Sequence, residues 1–210
     1  MRIRSGFSFH TAFGKVEDVI DRCKSVGFST VPLTDRTSTF GFRKFRDVCV
    51  KKGIKPAYGV EIGIVERSAE KKPVINYWTF LAKENIRAVN TIVKNATESV
   101  AKEPSQIIGM ATANPGVVRI VGERAKFDHI MQLEGVKDTY IALSPSTPKK
   151  LAAAAIIRNI PLIAVSDNYY PNPDDLEVYR MALGRRASTQ TYPMHILSRS
   201  EEHTSELQSH

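Results

Sequence analysis

The chain has 210 residues, is 42% hydrophobic and 25% charged, and carries a formal net charge of +8. That size and balance suit one full hydrophobic core and exclude collagen-like, low-complexity and disulfide-stapled classes. The longest uninterrupted apolar run, 151–157, falls far short of the roughly 20 residues a membrane helix needs, and Met1-Arg-Ile-Arg-Ser5 enters a strand directly, so no membrane association or export is expected.

Read in chain order, short strands alternate with helices. A strand at 2–5 is followed by 15–26, where Val16, Val19, Ile20, Cys23 and Val26 recur at helical spacing until Gly27 stops the run. A strand at 30–33 precedes a helix at 41–52 with Phe42, Phe45, Val48 and Cys49 on one face, ended by Gly53. Cys23 and Cys49 both occupy apolar helix positions and read as buried thiols of a reducing compartment, the cytoplasm.

Two strand-like runs, 57–65 and 74–82, flank the polar turn 66–72 and predict an antiparallel excursion. Asn85 is placed to cap a helix over 85–100 whose inward residues are Ile86, Val89, Ile92, Val93 and Ala96. Further buried strands are predicted at 117–121, 140–143 and 162–165, with helices at 148–158 and 173–183. The alternation argues for a parallel α/β fold, a barrel ahead of an open sheet, in one domain over 1–198. Residues 199–210 resemble translated sequencing-adapter read-through and are expected to be a non-native tail; without their −2 the remaining 198 residues carry +10.

Asp35, Glu61 and Asp167 each follow a run that reads as a buried strand. In an α/β barrel, carboxylates at strand C-termini converge on one mouth. A hydrolytic metal centre there also needs imidazoles, because neutral His nitrogens with bridging carboxylates hold ions close enough to activate water. The neighbours here are instead Arg2, Arg4, Arg36, Asn168 and Tyr169.

Four segments carry a family resemblance: Leu33-Thr-Asp-Arg-Thr-Ser-Thr-Phe-Gly41, Gly53-Ile-Lys-Pro-Ala-Tyr-Gly-Val-Glu61, Phe80-Leu-Ala-Lys83, and Pro161-Leu-Ile-Ala-Val-Ser-Asp-Asn-Tyr-Tyr-Pro-Asn-Pro-Asp174. In order and spacing they resemble the N-terminal PHP (polymerase and histidinol phosphatase) domain of bacterial DNA polymerase III alpha subunits. The resemblance implies a distorted (β/α)7 TIM-like barrel at the head of a longer DNA-directed DNA polymerase, a nucleotidyltransferase whose own chemistry uses Mg. It also implies as partners the rest of the alpha subunit and a proofreading exonuclease subunit.

Carried over residue by residue, the family's opening His-x-His falls on Arg2 and Arg4, its next aspartate near Thr11, and the histidine after Asp35 on Arg36. The histidine before Leu-Ala-Lys falls on Tyr77, and the one beyond Asp167 on Tyr169. Only Glu61 and Asp167 remain as ligand types, and two carboxylates could still hold a hard cation weakly. The alternative expectation is that Arg2, Arg4 and Arg36 neutralise Asp35, Glu61 and Asp167 through charge-assisted pairs, leaving no catalytic residue and no cofactor in this fragment. Three functions follow: a non-catalytic structural and docking module of the polymerase, an active metal-dependent phosphoesterase or 3′-5′ exonuclease using Glu61, Asp167, Asp35 and His10, or a free-standing basic barrel.

Other chemistry finds little support. His10, His129 and His195 are isolated, and Ser8, Ser144 and Ser166 lack the glycine elbow of a nucleophilic serine. Gly59, Gly63, Gly109 and Gly116 show no phosphate-cradling spacing. Basic residues group at Arg43-Lys-Phe-Arg46, Lys51-Lys52, Lys71-Lys72, Lys149-Lys150 and Arg185-Arg186, so DNA is expected near a basic surface without base readout.

Overall fold

The computed structural model describes residues 1–68, 71–98, 106, 108–109, 114–189 and 192–198. The expected non-native tail, 199–210, lies outside them, as does the end of the helix expected up to residue 100. Two compact units are formed, one from 1–57 with 166–210 and the other from 58–165.

In the first unit, β1 (Arg2–Ile3) and β8 (Asp167–Asn168) pair in parallel, with Arg2 opposite Asp167 and Ile3 opposite Asn168. The expected first strand reached residue 5; the ladder instead stops at Ile3, because the chain turns there into a hydrogen-bonded loop where Ser8 N–H donates to Ser5 O at 2.9 Å. β2 (Thr30–Arg36) packs beside β1, and Thr34 Oγ1 donates to Ile3 O at 3.1 Å. Helix α1 (Val16–Ser25) buries Val16, Val19, Ile20 and Cys23, while α2 (Phe42–Lys52) buries Phe42, Phe45 and Cys49. These are the apolar stripes the spacing required. Gly27 and Gly53 follow the helices at φ of 88° and 69°, a left-handed turn that glycine makes without a Cβ clash.

The later part of this unit contains a 3₁₀ turn, Pro173–Asp175, and α6 (Leu176–Leu183), where the sequence suggests one helix over 173–183. Asn172 explains the split, because its N–H and its amide both reach Asp175 Oδ2, at 2.8 and 3.0 Å, and tighten the first turn. Tyr179 is fully buried, with Tyr170 and Met194 around it.

In the second unit, β3 (Lys55–Ser68) and β4 (Lys71–Ala82) form an antiparallel ladder in which Glu61 faces Thr79 and Gly63 faces Tyr77. The two strands run further than the sequence suggests, into the polar 66–72 stretch, because ladder bonds at Glu66 and Ser68 continue the pairing. β5 (Val117–Val121) joins β4 antiparallel, and β6 (Thr139–Leu143) and β7 (Leu162–Ala164) follow in parallel. The architecture is mixed α/β: the β3–β4 ladder is the antiparallel excursion expected, whereas β4–β5 is antiparallel where strand–helix alternation suggested parallel pairing.

Alternation along the ladder puts Val60, Ile62, Ile64, Trp78 and Phe80 on one face, all buried. Helix α3 (Ile86–Glu98) covers part of β4 and buries Val89, Ile92 and Ala96. Asn85 caps it as expected, its Oδ1 accepting from Arg87 N–H at 2.9 Å. A short α4 (Phe127–Met131), unforeseen in the sequence, precedes β6, and α5 (Lys149–Ile157) connects β6 to β7.

Candidate functional site

The C-terminal ends of β1 and β2 and the start of β8 deliver Arg4, Asp35, Arg36 and Asp167 to one part of the first unit. Arg4 Nη2 donates to Asp167 Oδ1 at 2.8 Å, and Arg2 Nη1 reaches the same oxygen at 3.4 Å. Both arginines are buried, with 3% and 2% of Arg2 and Arg4 exposed. Register explains the convergence: Arg2 and Asp167 are ladder partners, and Arg2 N–H is tied to Ser166 O at 2.8 Å. Asp167 therefore sits inside a short strand of its own, past the end of β7, where the sequence had it following one continuous strand.

Tyr169 supports this arrangement. The Arg4 guanidinium lies 4.5 Å from the Tyr169 ring centroid and that of Arg36 lies 5.7 Å away. Arg36 Nη2 also donates to the Tyr169 hydroxyl at 3.3 Å. A cation over a ring face gains from the ring quadrupole, and a planar guanidinium does so while keeping its edge free to bind a carboxylate. Burial pushes the Asp167 carboxyl upward, but Arg4, Arg2 and then Arg36 outweigh it and hold the group well below the ordinary carboxylate range.

Asp35 behaves differently. The expectation was a guanidinium partner; its direct partners are Ser5 and Ser8. Ser5 N–H donates to Oδ1 at 2.8 Å, Ser5 Oγ to Oδ2 at 2.9 Å, and Ser8 Oγ to Oδ1 at 2.6 Å. Ser8 Oγ in turn accepts from Arg36 N–H at 3.1 Å. Burial raises the Asp35 carboxyl, opposed by the Ser8 and Ser5 hydrogen bonds and by Arg4. The sequence signal for these serines was their spacing of three after β1, which lets a tight turn aim both hydroxyls at one carboxylate. Gly41 admits this packing, since a Cβ there would come within 3.3 Å of Asp35 Oδ2 and 2.9 Å of the Phe7 ring.

Glu61 and Tyr77 belong to the unit formed by 58–165. Glu61 is fully buried on β3, and the Tyr77 ring lies close enough to Gly63 that a Cβ there would sit 3.1 Å from it. Three histidines expected to be isolated are placed as follows: His10 is exposed at a φ of 58°, His129 lies in α4, and His195 makes an isolated bridge with Tyr170. Among the described residues no group of three or more His, Cys, Asp or Glu side chains could share a metal ion. The donor chemistry around Asp167 does not suit a divalent ion either, because two permanently charged guanidiniums already address its Oδ1.

The fold is shared with two solved structures. A proposed metal-dependent phosphoesterase from Bifidobacterium adolescentis superposes with a TM-score of 0.58 at 9% identity, covering 79% of this chain and 85% of that one. An amidohydrolase from Chromobacterium violaceum, its structure holding sulfate and no metal, gives 0.53 at 12% identity over 81% and 87%. At such identity the likeness concerns the fold alone.

The sequence pattern of the PHP domain matches residues 1–133, and the chain belongs to the PHP domain family. DNA polymerase III subunit alpha of Bacillus subtilis (strain 168) is 20% identical over 205 residues, which is 86% of this chain and 18% of that protein. The same subunit of Staphylococcus aureus (strain COL) is 26% identical over 147 residues, 64% of this chain and 13% of that protein. The chain thus spans less than a fifth of the length of these relatives.

Proposed function

We propose that this chain is the N-terminal PHP domain of a replicative DNA polymerase III alpha subunit, a non-catalytic structural and docking module built as a distorted (β/α)7 barrel over 1–198. The observation that carries the reading is the buried pairing of Arg2 and Arg4 with the single carboxylate of Asp167. Where a metal-dependent relative would need neutral nitrogens, this chain offers cations stacked on Tyr169. Arg2, Arg4, Asp35, Arg36, Glu61, Tyr77, Asp167 and Tyr169 are then vestigial metal-site positions, and the ion pairs take over the metal's cross-linking role.

In this reading the partners are the remainder of the alpha subunit and a proofreading exonuclease, with DNA nearby, in the cytoplasm. Mg serves the parent polymerase's own active site, outside this chain. The parent subunit's reaction, DNA-directed nucleotidyl transfer, would be performed by parts of that subunit other than this domain.

The test is hydrolysis of bis(p-nitrophenyl) phosphate and of a 3′-labelled oligonucleotide by the purified chain with added Mn or Zn. No turnover above buffer is expected. Metal-dependent turnover lost in both Glu61→Ala and Asp167→Ala would overturn the proposal.

A further inference from the structure

In the unit formed by 1–57 and 166–210, two loops present phenylalanines to solvent: Phe9 is 65% exposed and Phe40 is 76% exposed. Phe9 lines a cleft of about 430 Å³ together with Phe7, Phe13 and Lys15. Phe40 lines a second cleft of about 530 Å³ with Arg43 and Lys51, and Lys44 belongs to both. The loops adjoin because the Phe7 ring rests against Gly41, the residue after Phe40.

Charges around these rings are unevenly committed. Glu17 accepts from Lys44 at 3.0 Å, Asp47 from Arg46 at 2.8 Å, and Asp18 Oδ2 from Lys15 N–H at 3.3 Å. Lys15, Arg43 and Lys51 make no ion pair among the described residues. The surface therefore offers exposed aromatic faces beside cations that have no carboxylate, on a chain of net charge +8.

Single-stranded nucleic acid matches that chemistry. Its bases expose π-faces that stack on phenyl rings, and its phosphates satisfy uncommitted cations. A duplex hides its base faces and would meet only the cations. The sequence did not reveal this surface, since the two rings come from loops after different strands, 31 positions apart.

We propose that the Phe9–Phe40 surface binds single-stranded nucleic acid, with bases stacked on the two rings and phosphates against Lys15, Arg43 and Lys51. The site is separate from the Asp167 cluster and does not depend on whether that cluster is catalytic.

The test is fluorescence anisotropy of a labelled dT15 strand, and of a duplex of equal length, with the whole 210-residue chain. Phe9→Ala/Phe40→Ala is expected to weaken strand binding at least about tenfold. Phe9→Tyr/Phe40→Tyr should retain it, which separates loss of stacking from loss of fold. Arg43→Ala/Lys51→Ala should lower the slope of log K against log salt by about 1.4. The proposal is overturned if the chain does not bind the strand, if the alanine variant binds it as tightly as the unaltered chain, or if duplex binds equally well. It is also overturned if the alanine variant alters only self-association, measured by sedimentation, because the surface would then be a protein contact.

Discussion

Replacing Asp167 by Asn keeps the shape of the side chain and removes its charge, which isolates the electrostatic contribution of the buried cluster. Arg2 and Arg4, both almost fully buried, would lose the carboxylate they share at 3.4 and 2.8 Å. Breaking a buried pair from one side costs about 3–5 kcal/mol, because a charge is left in low dielectric with reduced compensation. For a domain of this size each kcal/mol moves the thermal midpoint by about 2–4 °C, so a fall of roughly 6–20 °C is expected.

Circular dichroism melts and urea titrations of the unaltered chain, Asp167→Asn, Arg4→Met and the double variant would measure it. The cycle should give a coupling of at least about 1 kcal/mol between Arg4 and Asp167. A midpoint within about 2 °C of the unaltered chain for Asp167→Asn, with no coupling to Arg4, would refute the claim that ion pairing holds this part of the fold together.

Three further outcomes are expected. Asp167 has a lowered carboxyl pKa in the folded chain, so its stabilisation is present above the unfolded value of about 3.9 and is lost as pH falls below it; Asp167→Asn should therefore flatten the acid limb of a midpoint-against-pH curve, and an unchanged limb would contradict this. Asp35 has the opposite sign: its raised value favours the fold at low pH and is unfavourable as pH rises, which opposes that trend. Ser8→Ala removes the 2.6 Å bond to Asp35 and the acceptor of Arg36 N–H, and should cost about 1–3 kcal/mol by urea titration. Gly122→Ala would bring a Cβ to 2.3 Å from the Tyr77 carbonyl oxygen, so the variant should show a markedly lower midpoint or fail to accumulate, and a native-like melt would count against the close approach.

Much of the framework was legible because the residues repeat at the period of the element they build. Val16, Val19, Ile20 and Cys23 announce α1, and Asn85 announces the start of α3. Pairing direction was less legible: β4 and β5 read as equivalent apolar runs, yet their ladder is antiparallel. The candidate site was readable in its residue types and in the pairing of Arg2 and Arg4 with Asp167, and misread in the partners of Asp35. Asp35 looked destined for an arginine because charge is visible in a sequence, whereas Ser5 and Ser8 act through a turn geometry that composition does not record. Two basic clusters are partly neutralised for a similar reason: Lys44 pairs with Glu17 and Lys52 with Asp21, both acids supplied by the neighbouring helix α1.

The pairing of Arg2 with Asp167 also has a bearing on how the chain is made. Residue 2 leaves the ribosome before the side chain that anchors it, which lies 165 positions later. At about 5–20 residues per second strand β1 waits roughly ten to thirty seconds before that anchor emerges. Throughout that interval Ile3 lacks its ladder partner Asn168, so β1 stays unpaired until β8 has been made.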